Sequence, residues 1–273
     1  MKLKVFFNAH IKVFKVIAAT VAFAMTAGLL WFANGLLGNP VSYTIVKSET
    51  KKYVAENYAD EGYVVKKVSY NFKNGHYSAA VEKPGSEDCK FGLSYSMNGN
   101  LVYDTYETAV AEGMNTRNRL YRSYSDLIQN VTNTPLFPYI CSGDLLFEFE
   151  DSGYAEAFDF GLSKDILVPD SQYDISKLGA EGGLLQINAF DSEVTPEKAA
   201  EVLLNISKFM EQNDIGFYAV NILLSALDED GDSKEESYFL ENFKHSDIYE
   251  NDLVERVKKN HEETEKFYAE LNK

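Results

Sequence analysis

The chain has 273 residues, 45% of them hydrophobic, 14% aromatic and 25% charged, with a net charge of −16. Those proportions exclude a disordered chain, a collagen and a small disulfide scaffold, and the length suits one or two domains that each bury a core. The charge is uneven: residues 1–48 carry +5, residues 49–140 carry −1 and residues 141–273 carry −20, the wrong sign for replacing counterions along phosphates, so no nucleic-acid partner is expected.

Val16 to Leu37 is a run of twenty-two uncharged residues. As a helix it would reach about 33 Å, against about 30 Å for a hydrocarbon core. Lys2, Lys4, Lys12 and Lys15 precede the run, and no charge follows it as far as Pro40. The positive-inside rule then makes residues 1–15 a cytoplasmic basic tail, 16–37 a transmembrane helix and the remainder extracytoplasmic. Trp31 and Phe32 fall near the outer end, where aromatic rings favour the headgroup layer. A buried core helix and a cleaved signal peptide are the competing readings. The apolar region of a signal peptide is usually about 7–15 residues. Here the run is longer and its small-x-small triplet, Ala22-Phe23-Ala24, lies in the middle, so an uncleaved anchor is expected.

Beyond Pro40, Ser42 to Tyr58 reads as a short helix, with Tyr43, Val46, Thr50, Tyr53, Val54 and Asn57 at helical spacing. Val64 to Phe72 alternates as a strand, with Val64, Lys66, Val68, Tyr70 and Phe72 on one face. Asn74-Gly75 predicts a type I′ turn and His76 to Val81 the returning strand. Phe91 to Met97, a second turn at Asn98-Gly99, and Leu101 to Tyr106 complete a four-stranded antiparallel meander. Ala109 to Val131 reads as a helix carrying Arg117, Arg119 and Arg122. Pro135 and Pro138 end it and mark the expected junction between a first domain, 41–134, and a second, 140–273.

In the second domain Leu145 to Glu150 predicts a strand, followed by an acidic irregular stretch through Ser171 and a strand from Leu184 to Phe190. Thr195-Pro196-Glu197 is a helix start, with a cap, a proline at the first position and an acid in the first turn. Phe217 to Leu227 is apolar on both faces, as a central strand would be. Asp228 to Glu236 reads as an acidic turn, Tyr238 to Phe243 as the strand that pairs back, and Glu250 to Leu271 as a last amphipathic helix. The fold class expected is α+β: a transmembrane helix, then two small extracytoplasmic domains of antiparallel sheet and helices.

Chemistry is harder to find. Asp228-Glu229-Asp230-Gly231-Asp232 fails as a calcium loop in either register, because the sharp-turn glycine and the terminal bidentate glutamate never fall into place together. His10, His76, His245 and His261 lack metal-ligand spacing. Ser48-Glu49-Thr50-Lys51 matches an SxxK without the motifs that accompany it in penicillin-binding enzymes. Gly179 to Gly183 has no lysine to hold a phosphate and reads as a turn. Glu148 and Glu150 share a strand face and could imitate a carboxylate dyad, and the three arginines could meet an anion or the acidic second domain. No catalytic residue, cofactor or metal is assigned. Cys89 and Cys141 both lie on the expected outer side. A bridge between them would close a loop of about 52 residues, worth about 4 kcal/mol in the chain-entropy model; two separate buried thiols are the alternative.

The words Val65-Lys66-Lys67-Val68-Ser69-Tyr70-Asn71-Phe72-Lys73-Asn74-Gly75-His76-Tyr77, with the apolar helix before them and Ser246-Asp247-Ile248-Tyr249 after, resemble the YfjL-like family of small bacterial membrane-anchored proteins. The resemblance implies a cell-envelope location, an anchor and two domains, and assigns no functional residue. The expectation is a membrane-anchored extracytoplasmic binding protein of the bacterial cell envelope, whose acidic domain meets a basic protein or a cationic envelope component. The alternative is an envelope hydrolase with an unrecognised carboxylate site.

Overall fold

The computed structural model describes residues 11–141, 146–227 and 233–271. The chain forms two compact units, one up to Glu112 and one from Gly113.

Ile11–Leu37 is one helix, α1, long and apolar enough to cross a membrane and with none of its residues buried. Gly38, at φ +69°, breaks it. Asn39 then caps α2, Pro40–Asn57: its Oδ1 accepts from the Ser42 amide at 2.8 Å, and Pro40 takes the first position, where no amide donor is needed. Ser42, Val46, Thr50 and Val54, spaced by four, form the buried stripe of α2. The stripe covers a sheet of β1 (Val64–Asn71), β2 (His76–Glu82), β3 (Lys90–Tyr95) and β4 (Leu101–Asp104), antiparallel throughout and in sequence order. Tyr77, Val81, Leu93 and Tyr95 fill the core beneath it.

The joint between α1 and this unit is tight. The Tyr77 hydroxyl accepts from the Asn39 amide at 2.8 Å and donates to the Asn39 carbonyl at 2.9 Å. Tyr70 donates to the Gly35 carbonyl at 3.0 Å, inside the last turn of α1. A Cβ on Gly38 would sit 2.4 Å from the Tyr77 oxygen and 2.8 Å from the Tyr70 ring.

Two local expectations change. The Asn-Gly turns are not type I′: residues 72–75 separate β1 from β2, and of the Asn-Gly pairs only Gly75 and Gly99 have positive φ. The asparagines instead accept from backbone amides, Asn71 from Lys73 and Asn74 from His76, each at 3.1 Å. In β1 the register shifts between Val65 and Lys67, so the inward face is not the expected Val64–Lys66–Val68 series. Val68 is buried while Val64 and Phe72 are exposed; the bulge swaps the face that alternation alone would predict.

The helix expected over Ala109–Val131 is two pieces: a wide turn at Glu107–Ala111 and, past Gly113, α3 at Met114–Thr132. Thr116, Leu120, Tyr124, Ile128 and Thr132 form its buried stripe. That stripe belongs to the second core, with Phe147, Leu185, Leu203 and Ile222. The boundary therefore falls at Glu112/Gly113, not at 134–140, because the apolar face of α3 needs cover that the second sheet provides. Pro135 and Pro138 end the helix without separating the units.

The second sheet comprises β5 (Ile140–Cys141), β6 (Leu146–Phe147), β7 (Gly183–Asp191), β8 (Ala219–Leu227) and β9 (Ser233–Lys244). Its order is β5-β7-β8-β9, with β6 also on β7. It is mixed rather than antiparallel: β7 and β8 run parallel, because α6 (Pro196–Gln212) crosses over between them and returns the chain in the same direction. Thr195 caps α6 through a bond from the Lys198 amide at 3.2 Å, as its sequence predicts. The stretch expected to be irregular through Ser171 contains a short capped helix, α4 (Gly153–Phe158, cap Ser152), and a second, α5 (Ile175–Gly182, cap Asp174), follows it. Gly179 and Gly183 are not a free turn. A Cβ on either would come within 2.6 Å of Tyr124, whose ring fills the space they leave. The last helix, α7, is Leu253–Leu271 and packs on β9 and α6. Of the acidic turn expected over Asp228 to Glu236, residues 228–232 lie outside the described residues, and 233–236 belong to β9, which starts earlier than the expected Tyr238.

Candidate functional site

The most unusual polar construction lies where β9 passes β8. Val220 faces Phe243 and Ile222 faces Leu240, so Glu241 and Asn242 together oppose the single residue Asn221. This is a bulge, and Asn242 takes the left-handed conformation (φ +47°) that asparagine tolerates better than most residues. Asn221 holds both bulged residues. Its Oδ1 accepts from the Asn242 amide at 2.6 Å and its Nδ2 donates to Glu241 Oε1 at 3.0 Å.

Glu241 is only 5% exposed. Besides Asn221, its carboxylate accepts from Tyr154 of α4 at 2.5 Å and from Tyr268 of α7 at 3.1 Å. Asn260 of α7 clasps its backbone, donating to the Glu241 carbonyl at 2.9 Å and accepting from its amide at 3.2 Å. A buried carboxylate thus rests on three neutral donors. Hydrogen bonds to a charged group contribute about 1.5–3 kcal/mol each, which offsets part of the desolvation cost. Burial, and then the bond to Glu241, raise the Tyr154 phenol above its ordinary range; burial and the nearby carboxylate charge raise Tyr268. Asn242 Oδ1 is buried with no protein partner among the described residues.

Above the bulge opens a cleft of about 610 Å³ between β9, α7 and the end of α4. Phe158 and Phe267, 5.4 Å apart, are its aromatic wall. Asp159, Lys244, Lys259 and Glu263 bring charges of both signs to it. Arg256 also borders the cleft but is committed elsewhere. Its guanidinium donates to the carbonyls of Asp247, Tyr249 and Asn251 and lies 3.6 Å over the Tyr249 ring. Lys259 pairs with Glu263 at 3.7 Å, both well exposed. The cleft therefore offers an apolar wall beside exposed surface charges.

The residues singled out in the sequence go to separate places. Glu148 is buried and accepts from Ser152 at 2.6 Å, supporting the cap of α4. Glu150 is exposed and accepts from Ser163 and the Lys164 amide at 3.3 Å. They form no dyad. Arg117 lies within the second unit, where it grips Asp151 at 3.0 and 3.2 Å and lies 4.3 Å over the Phe149 ring, so the pair joins two elements of one unit. Burial opposes ionisation of Asp151, yet bonds from Lys164 and Arg117 hold its carboxyl below the usual range. Arg119 donates to the Ser171 carbonyl at 3.0 Å.

Cys89 and Cys141, the possible disulfide pair, are both free thiols in this structure, one in each unit. Burial pushes the Cys141 thiol up to about 12. His261 contacts the Phe239 carbonyl and stacks on Tyr238. Ser207, His245 and Glu211 approach one another, but the geometry is not that of a relay. One nitrogen, His245 Nε2, meets both Ser207 at 3.1 Å and Glu211 at 3.6 Å, while the serine donates to the glutamate at 3.2 Å. A relay needs acid and nucleophile on opposite ring nitrogens. Among the described residues no cluster of three metal-ligating side chains occurs.

The cleft was not anticipated from the sequence, although a signal exists. Glu241-Asn242 interrupts the alternation of Tyr238, Leu240 and Phe243, and Asn221 sits inside an apolar strand. Two adjacent polar residues between apolar ones mark a bulge.

No curated protein and no solved structure matches this chain. The family model described as YfjL-like, N-terminal domain, matches residues 13–105, which takes in most of α1 and ends with β4. The YfjL-like C-terminal domain matches residues 143–258, from just before β6 into α7, and leaves α3 between the two ranges. With both domains present in order along one chain, the protein belongs to the YfjL-like family.

Proposed function

We propose that this protein is a membrane-anchored, extracytoplasmic binding protein of the bacterial cell envelope, and that the cleft above the β8–β9 bulge takes a basic protein segment or a cationic envelope component. The observation that carries the reading is the build of the cleft. Its buried carboxylate is spent on Tyr154, Asn221 and Tyr268, which leaves an aromatic wall and exposed charges to meet a ligand. The −20 carried by residues 141–273 adds a field that concentrates cations. The anchor is supported by the lysines before the apolar run and by the way Tyr70 and Tyr77 hold the end of α1. A removable leader has no use for such a joint.

Titration of the full chain in detergent micelles with an oligolysine peptide, followed across a salt series, tests the proposal. Binding should be present at low salt and fade as salt screens it. Asp159→Asn combined with Glu263→Gln should weaken it. Absence of binding at low salt, or binding indifferent to that pair, would defeat the proposal.

A further inference from the structure

The tip of the β1–β2 hairpin stands beside the last turn of α1. Tyr70 bridges the two: its hydroxyl donates to the Gly35 carbonyl at 3.0 Å, and the Cβ direction of Gly75 points to that same hydroxyl at 4.0 Å. Gly35 lies two residues before the end of the apolar run at Leu37, about 3 Å along the helix axis. Trp31 and Phe32, one turn deeper, are exposed. The hairpin tip is therefore level with the end of the apolar helix. At that level the tip presents Phe72, 59% exposed, next to an exposed Lys73.

We propose that residues 72–75 form a second membrane contact, in which Phe72 enters the headgroup layer of the bilayer that α1 crosses and Lys73 meets lipid phosphates. This rests on reading α1 as an anchor. Three features favour the lipid surface over water. An aromatic ring gains from the interface, where its apolar body leaves water. A lysine beside it keeps its ammonium among the headgroups while its stem lies along apolar surface. The joint also leaves little slack: only Gly38 and Asn39 separate α1 from α2, and Asn39 is clamped on both its amide and its carbonyl by Tyr77. The tip is held where it is rather than swinging on a linker. Residues 83–89, joining β2 to β3, lie at the opposite end of the strands, about 20 Å from the tip for a seven-residue strand.

The test uses the full chain in phospholipid vesicles, with Trp31→Phe making room for a single new tryptophan. Phe72→Trp is placed at the tip and Pro84→Trp at the far loop, and quenching by brominated lipids is read for each. The tip tryptophan should lose intensity to lipids brominated just below the glycerol, and less to those brominated near the chain ends; the far-loop tryptophan should lose none. Trp31 in the unaltered chain reports on the anchor itself. If Trp31 is quenched and the tip is not, the anchor stands and the hairpin contact is refuted. Quenching at both the tip and the far loop refutes it too, since the unit would then lie flat. If Trp31 escapes quenching, the anchor reading fails and the contact falls with it.

Discussion

A fragment beginning at residue 140, after the paired prolines, should not fold, whereas one beginning at Gly113 should. The difference is α3. Leu120, Tyr124 and Ile128 are each 0% exposed within the second core. At about 1.5–3 kcal/mol for each fully buried large side chain, the three contribute roughly 5–9 kcal/mol, an upper figure because the unfolded chain already hides some of that surface. The Tyr124 hydroxyl adds a bond to the Gly216 carbonyl at 2.9 Å, and its ring stacks on Phe147 at 4.5 Å. A whole domain has only about 5–15 kcal/mol in hand, so removing α3 takes most or all of it. Residues 113–273 should give a cooperative urea transition and a near-ultraviolet dichroism signal. Residues 140–273 should show neither and should bind a hydrophobic dye. Tyr124→Ala in the longer fragment should lower its stability by about 3–5 kcal/mol, the usual cost of truncating a buried aromatic residue. If the shorter fragment unfolds as cooperatively as the longer one and at the same urea midpoint, the assignment of α3 to the second core is wrong.

Gly38→Ala should destabilise the first unit by about 1–3 kcal/mol, since it combines a left-handed backbone with a Cβ driven into Tyr77 and Tyr70. Gly35→Ala, with open space at its Cβ, is the control that should cost nothing in thermal unfolding of the detergent-solubilised chain. Burial lifts the Cys141 thiol from its ordinary 9.0 up to about 12, so the unfolded chain loses that proton first. The contribution of Cys141 to stability is then complete below about pH 9 and lost as pH rises towards 12. At pH 8 the folded protein should leave Cys141 unalkylated, while in urea without reductant both cysteines should be modified, giving a doubly alkylated mass. A mass that changes only after reduction would restore the bridge.

Much of the backbone was legible because the signals were local. Thr195-Pro196-Glu197 names the start of α6 because capping is decided within one turn. The apolar run from Phe217 names a central strand because both its faces must be dry. What escaped depends on partners distant in sequence. Pro135 and Pro138 look like a domain boundary, yet which core takes Leu120, Tyr124 and Ile128 is settled by Phe147, Leu185 and Ile222, far along the chain. The parallel pairing of β7 and β8 is likewise a property of the crossover, invisible to alternation within either strand. Asn74-Gly75 carried the turn but not its type, because side-chain bonds from Asn71 and Asn74 favour the longer loop. In the cleft, Glu241 and Asn242 are ordinary residues until Asn221, Tyr154 and Tyr268 converge on them from three other elements.

The two sheets also imply different timetables for the nascent chain. In the first unit each strand pairs with its immediate neighbour across a short loop, so little chain must be closed before contacts form and folding is fast. In the second unit Ile140 waits for Asn188, and Leu184 waits for Ala219, pairings that demand long closures and slow the search. Made from the N-terminus onward, the chain completes its meander while the later strands are still absent. The helix α3 emerges in between, with its apolar stripe uncovered until β6 and β7 follow. During that interval the uncovered stripe is open to non-native apolar contacts.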